Sequence, residues 1–152
     1  MNTNRARNIL HLQLGGLDNE YQEFGSLLYP DRFNLILFYS TRCLGCTGRA
    51  LPFGYDISQE FPYVNLIVIH VDFGKERTST EDIKGVFTKG EAPFPIYIDE
   101  DHILYDHYAC EGTPHWIISD AKGQVRHSIF GSQQGAKLKI DFALREFKKE
   151  FS

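Results

Sequence analysis

A chain of 152 residues with 42% hydrophobic and 14% aromatic side chains carries enough apolar material to close one core without staples, so a single domain spanning 1–152 is expected. A formal charge of -4 leaves no basic surface of the kind that phosphate backbones and anionic bilayers select, which argues against nucleic-acid and membrane partners. The longest apolar run, 66–71, is interrupted by His70 and falls far short of the roughly 20 residues of a membrane-spanning helix.

In chain order, residues 1–33 read as an N-terminal extension to a core that begins near Asn34. Arg5 and Arg7 stand near the start, but 9–14 alternates with His11 and Gln13 where a secretion signal has an apolar centre. A cytoplasmic protein is therefore expected, with a periplasmic or extracytoplasmic one as the alternative if a leader has been removed. Residues 34–39, NLILFY, form a continuous apolar run between turn residues, the pattern of a central strand buried on both faces. From Cys43 to about Glu60, Leu51, Tyr55 and Phe61 recur in a helical rhythm, and Pro52 inside the segment predicts a kink. A second buried strand follows at 65–71, and Ser79, with Glu81 and Asp82 in the first turn, opens a helix through Phe87. This alternation predicts parallel crossovers. Residues 94–98 read as a short strand, 103–110 as a short helix or turn, and 115–119 with 124–130 as a hairpin joined through Gly123. The chain closes on an amphipathic helix whose expected apolar face is Leu138, Phe142, Leu144 and Phe147, with Lys139, Arg145, Lys148 and Lys149 on its solvated side.

Three cysteines cannot build a disulfide framework, and Cys43 and Cys46 are too close in sequence to staple distant segments. A zinc site needs four ligands, and no second CxxC or closely spaced Cys/His pair supplies the missing two, so no metal is expected. The pair follows a buried strand and heads a helix, where the helix N-terminus stabilises an anion and the attacking species is the thiolate. Cys43 is then the nucleophile, and Cys46, one turn inward, resolves a mixed disulfide on Cys43. Two structural thiols in a helix are the plainer alternative. Thr113-Pro114 precedes the strand at 115–119; read alone, an ordinary trans proline is favoured there.

Four segments fall in a recognisable order: FYSTRCLGC at 38–46, FPIYID at 94–99, YACEGTP at 108–114 and SDAKGQV at 119–125. In these the chain resembles the TlpA/ResA-like thiol-disulfide oxidoreductases from about Asn34 to its C-terminus. The resemblance implies an α/β thioredoxin fold, a central mixed β-sheet flanked by helices with an extra strand and helix at 94–110. It also implies redox-active Cys43 and Cys46, a cis Pro114 and a substrate edge at Thr113 and Pro114. It further suggests a small soluble cytosolic member of that family. Three departures stand out: Arg42 replaces the usual aromatic residue before the first cysteine, Arg49 stands where some members carry a proton-transferring Glu, and Pro52 comes one position late. Arg42 could tune Cys43 and favour anionic partner surfaces, or be a solvated side chain. His115 could face the cysteines as a tuning or acid/base group, although a structural role is the simpler reading. Cys110 reads as a small buried hydrophobe in place of a third redox thiol.

The expected function is reduction of protein disulfides by a monomer that needs no cofactor and is recharged by a thiol electron donor. Two rivals remain: a non-catalytic thioredoxin-like binding or redox-sensing module, and a thiol peroxidase, which the absence of a proline just ahead of Cys43 weakens.

Overall fold

The computed structural model describes residues 9–73 and 77–150. Its organising strands are β3 (Phe33–Tyr39) and β4 (Val64–Val71), which pair in parallel from Phe33↔Val64 to Tyr39↔His70. Around them lie β1 (Gln13–Gly16), β2 (Tyr21–Glu23), β5 (Ile96–Asp99), β6 (His115–Ser119) and β7 (Val125–Phe130), in the sheet order β2-β1-β5-β4-β3-β6-β7. The β4–β5 pair is parallel, whereas β6 runs antiparallel to β3 and forms the expected hairpin with β7. The sheet is therefore mixed and the fold is that of thioredoxin. Residues 13–23, expected only as an extension, supply its far edge through Gly15↔Ile98.

Both faces of the sheet are covered, which is why 34–39 reads as an unbroken apolar run. Leu35, Leu37 and Tyr39 share one core with Trp116 and with α1 (Leu51–Glu60) and α4 (Gln134–Lys148). Ile36 and Phe38 point the other way, into a second core with Ile69, Ile117, Phe24 and Leu104 of α3 (Ile103–His107). A short α2 (Thr80–Lys84) begins at Ser79, whose Oγ accepts the Asp82 amide N–H at 3.1 Å, and ends before Phe87.

Two expectations need correction. In α4 the buried face is Ala136, Ile140, Ala143, Leu144 and Phe147, while Leu138 and Phe142 stand 59% and 67% exposed. The two small alanines hide that stripe from a search for large apolar residues. The irregularity expected at Pro52 lies in the turn before it: Cys46–Ala50 is π-helical, and the Leu51 amide N–H reaches five residues back to the Cys46 carbonyl. One extra residue is absorbed in that wide turn. Pro52 then follows within one unbroken helical path, and the wide turn lies where its ring would otherwise crowd the carbonyl four residues back.

Candidate functional site

The chain leaves β3 at Tyr39 and turns through Ser40, Thr41 and Arg42 to reach Cys43. Hydrogen bonds from the Cys43 amide to Ser40 O (3.1 Å) and from the Cys46 and Thr47 amides to Cys43 O (3.1 and 3.2 Å) close this turn into the helix head. Cys43 is half-buried and Cys46 fully buried, and both are free thiols. The Cys46 backbone N–H donates to Cys43 Sγ at 3.2 Å, and that thiol donates to the Thr113 carbonyl at 3.3 Å. A Cβ at Gly45 would lie 2.6 Å from Ser132 Oγ, a contact that rotation of the serine hydroxyl relieves. Leu44, by contrast, projects into solvent at 88% exposure.

Burial, reinforced by the adjacent Cys43 thiol, pushes the Cys46 thiol up to about 12. Cys43 opens on a cavity of about 190 Å³ whose walls include Ser40, Arg42, Asp72, Phe73, Thr78 and Thr113. The fold thus brings Cys43, Cys46, Thr113 and Arg42 together. The Thr113–Pro114 peptide is cis, and Pro114 is buried where the chain enters β6.

His115 lies elsewhere. It pairs in register with Phe38 and so turns to the second core, away from Cys46. Its Nδ1 accepts the Glu111 amide N–H at 3.2 Å and its Nε2 lies 2.7 Å from Ser128 Oγ. This is the structural role, and the tuning role expected as an alternative has no geometric basis. His115 and Trp116 are both buried because both faces are covered, so alternation alone could not choose between them. Cys110 also packs against the second core, half-buried, its thiol pushed up to about 12 by burial and then by Asp99 and Asp106. Among the described residues no cluster of three or more His, Cys, Asp or Glu side chains could hold a metal ion.

Sequence reasoning left a polar cluster beside the cysteines unassigned. Tyr39, at the end of β3, sets its ring edge-on to His70 on β4, with centroids 5.1 Å apart. His70 is fully buried; its Nε2 accepts the Thr41 amide N–H at 3.2 Å, and its Nδ1 lies 3.5 Å from Asp72 Oδ1. Asp72 Oδ1 also accepts the Thr78 amide N–H at 3.1 Å. Burial pushes His70 below the ordinary imidazole range, partly opposed by Asp72 and assisted by the Arg42 guanidinium. Burial raises the Tyr39 hydroxyl, and charge on Cys46 raises it further. The signal that could have flagged the cluster was His70 itself, a polar residue inside a strand that otherwise reads as buried on both faces.

No protein-family model matches the chain. A thiol-disulfide oxidoreductase of Bacillus subtilis strain 168, YkuV, is 27% identical over 101 residues, which cover 66% of this chain and 68% of that protein. Among solved structures, the exposed lipoprotein thioredoxin Etrx1 of Streptococcus pneumoniae superposes with a TM-score of 0.70 at 20% identity, covering 89% of this chain and 98% of that one. A secreted Mycobacterium tuberculosis disulfide oxidoreductase homologous to E. coli DsbE gives 0.68 at 15% identity, covering 91% and 98%. These structural likenesses establish the thioredoxin fold. No helix among the described residues is long and apolar enough to cross a membrane.

Proposed function

We propose that this chain, a TlpA/ResA-like thiol-disulfide oxidoreductase of thioredoxin fold, reduces protein disulfides through a Cys43–Cys46 dithiol/disulfide cycle. The observation that carries the reading is the disposition of the pair: an accessible Cys43 thiol against the Thr113 carbonyl, with a buried Cys46 one turn inward and its amide on the Cys43 sulfur. Cys43 attacks a substrate disulfide, one substrate thiolate departs, and Cys46 displaces the second from the mixed disulfide. Thr113 and Pro114 form the wall beside which the substrate segment lies. Arg42, exposed on the same cavity, favours substrates with acidic residues flanking the cysteine.

The direction of the exchange is set by the potential of the pair against that of its surroundings. The test is the redox equilibrium of the pair in glutathione and dithiothreitol buffers, followed by the single Trp116 and by thiol-specific mass labelling. A potential well below that of glutathione, with disulfide reduction abolished by Cys43→Ser, is the expected result. Absence of a reversible Cys43–Cys46 disulfide would remove the enzymatic reading in favour of a binding module.

A further inference from the structure

The turn between β3 and the cysteine helix carries the backbone amides of Thr41, Arg42 and Cys43. Two of them bond inside the turn: the Arg42 N–H donates to Ser40 Oγ at 3.2 Å and the Cys43 N–H to Ser40 O at 3.1 Å. These bonds shape the turn without setting where it sits on the sheet. The Thr41 N–H does set it, because it crosses to β4 and donates to His70 Nε2 at 3.2 Å. His70 is fully buried and is the register partner of Tyr39, the last residue of β3, whose ring stands edge-on to the imidazole. Sheet pairing and ring packing therefore fix the acceptor to which the turn is tied.

We propose that His70 is a positioning residue for Cys43: its neutral ring ties the 40–42 turn to the sheet through the Thr41 amide, and protonation of the ring releases that turn. This inference rests on Cys43 being the attacking thiol, as proposed above. With Nε2 accepting, the proton of the neutral ring sits on Nδ1. Nδ1 makes no hydrogen bond and lies 3.5 Å from Asp72 Oδ1. A second proton goes to Nε2, which turns from acceptor into donor and then opposes the Thr41 N–H, so the bond is lost. Asp72 stands opposite the ring as its counter-charge. The groups that face His70 are Tyr39 from β3, Arg42 from the turn and Asp72 beyond the end of β4, with Cys43 and Cys46 at the helix head on the same side of the sheet. Its partner on β5 is the uncharged Ile98, and the acidic residues of α1 and α2, Asp56, Glu60, Glu81 and Asp82, are exposed, while Lys84 of α2 pairs with Asp18.

The turn delivers the reacting sulfur. Cys43 Sγ lies 3.2 Å from the Cys46 amide nitrogen and 3.3 Å from the Thr113 carbonyl oxygen, beside the cavity onto which it opens. A turn that shifts on the sheet carries Cys43 out of this alignment, and a thiolate presented in poorer geometry attacks a disulfide more slowly. Burial, assisted by the Arg42 guanidinium and opposed by Asp72, holds His70 below the ordinary imidazole range. At neutral pH the ring is therefore neutral and the turn is held, and release belongs to acid conditions.

The test is the pH dependence of Cys43 attack on 2,2′-dithiodipyridine, followed by stopped flow in reduced protein carrying Cys110→Ala throughout, with His70 in place and as His70→Gln and His70→Leu. Glutamine keeps an acceptor for the Thr41 amide and does not titrate; leucine removes the acceptor. At about pH 7.5 His70→Leu should slow attack about fivefold or more, and His70→Gln should recover most of that loss. With His70 in place the rate should fall in acid through one titration step that both variants lack, centred below 6.5. In nuclear magnetic resonance spectra the Thr41 amide signal should move with the same step, and Nε2 of His70 should carry no proton at neutral pH. An unslowed His70→Leu overturns the inference, as does an acid step that persists in His70→Gln or a proton found on Nε2 at neutral pH. Equal slowing in the two variants overturns it as well and makes His70 a packing residue. Each of these results leaves the redox reading intact. If Cys43 of the unsubstituted protein reacts no faster than glutathione, Cys43 is not the attacking thiol, and the redox reading fails together with this inference.

Discussion

Each face of the sheet buries one histidine and one aspartate, and the two faces treat them differently. On the face away from the cysteines, His115 engages both ring nitrogens, and the two carboxylate oxygens of Asp99 accept the Leu104 and Tyr105 amides at 3.2 and 2.9 Å. On the cysteine face, His70 and Asp72 each keep one polar atom unpaired. Satisfied polar groups fix geometry: Asp99 caps the start of α3, and His115 ties the 111 loop to β7. Unsatisfied ones cost stability and fix the geometry around them less tightly.

The largest expected effect tests the structural side. Asp99→Ala leaves the buried Leu104 amide and the part-buried Tyr105 amide without their acceptor, so urea denaturation should register a loss of about 3 kcal/mol, while the rate of disulfide reduction is kept. Asp72→Asn should cost less than about 1 kcal/mol, because it removes a charge that is only half compensated. Equal losses in the two variants would break the comparison.

Acid sensitivity sharpens it. Burial holds both His70 and His115 below the ordinary 6.5, so the unfolded chain takes up these protons first as pH falls. Their contribution to stability is complete above pH 6.5 and is lost as pH falls through the lowered folded-state values. Asp99 has the opposite sign. Burial raises it, so its contribution is complete below 3.8 and is lost as pH rises through the raised value. Chemical denaturation at a series of pH values should show the histidine-linked loss shrink in His70→Gln and, separately, in His115→Gln.

The smallest effect probes whether the cysteine face is loosely packed apart from its polar cluster. Gly54 lies within α1, and a Cβ there would meet Trp116 and Leu66 at an ordinary 3.6 Å. Gly54→Ala should therefore stabilise by about 0.5–1 kcal/mol through helix propensity. A loss instead would mean that α1 sits too tightly on Trp116 to accept a methyl group.

Much was legible from the sequence because it was local. The apolar runs at 34–39 and 65–71 specified buried strands, Ser79 marked a helix start, and the Cys43–Cys46 spacing put two thiols on one helical turn. Pro52, one place late, signalled an irregular helix, although the chain resolves it as a π turn upstream of the proline. Small residues blurred the reading of α4, where Ala136 and Ala143 fill the buried stripe that Leu138 and Phe142 were expected to occupy.

The sequence by itself determined the order of elements and the identity of the thiol pair, since strand runs, caps and a CxxC are set by neighbours along the chain. Tertiary structure alone decided which polar residues meet those thiols. Residues 31 apart, Tyr39 and His70 touch only because β3 and β4 pair in one parallel register, and Thr113 reaches Cys43 only because β6 runs back beside β3. Which face each histidine took was likewise set by register: in a sheet covered on both sides, His70 and His115 are equally buried, and a shift of one residue would exchange their surroundings.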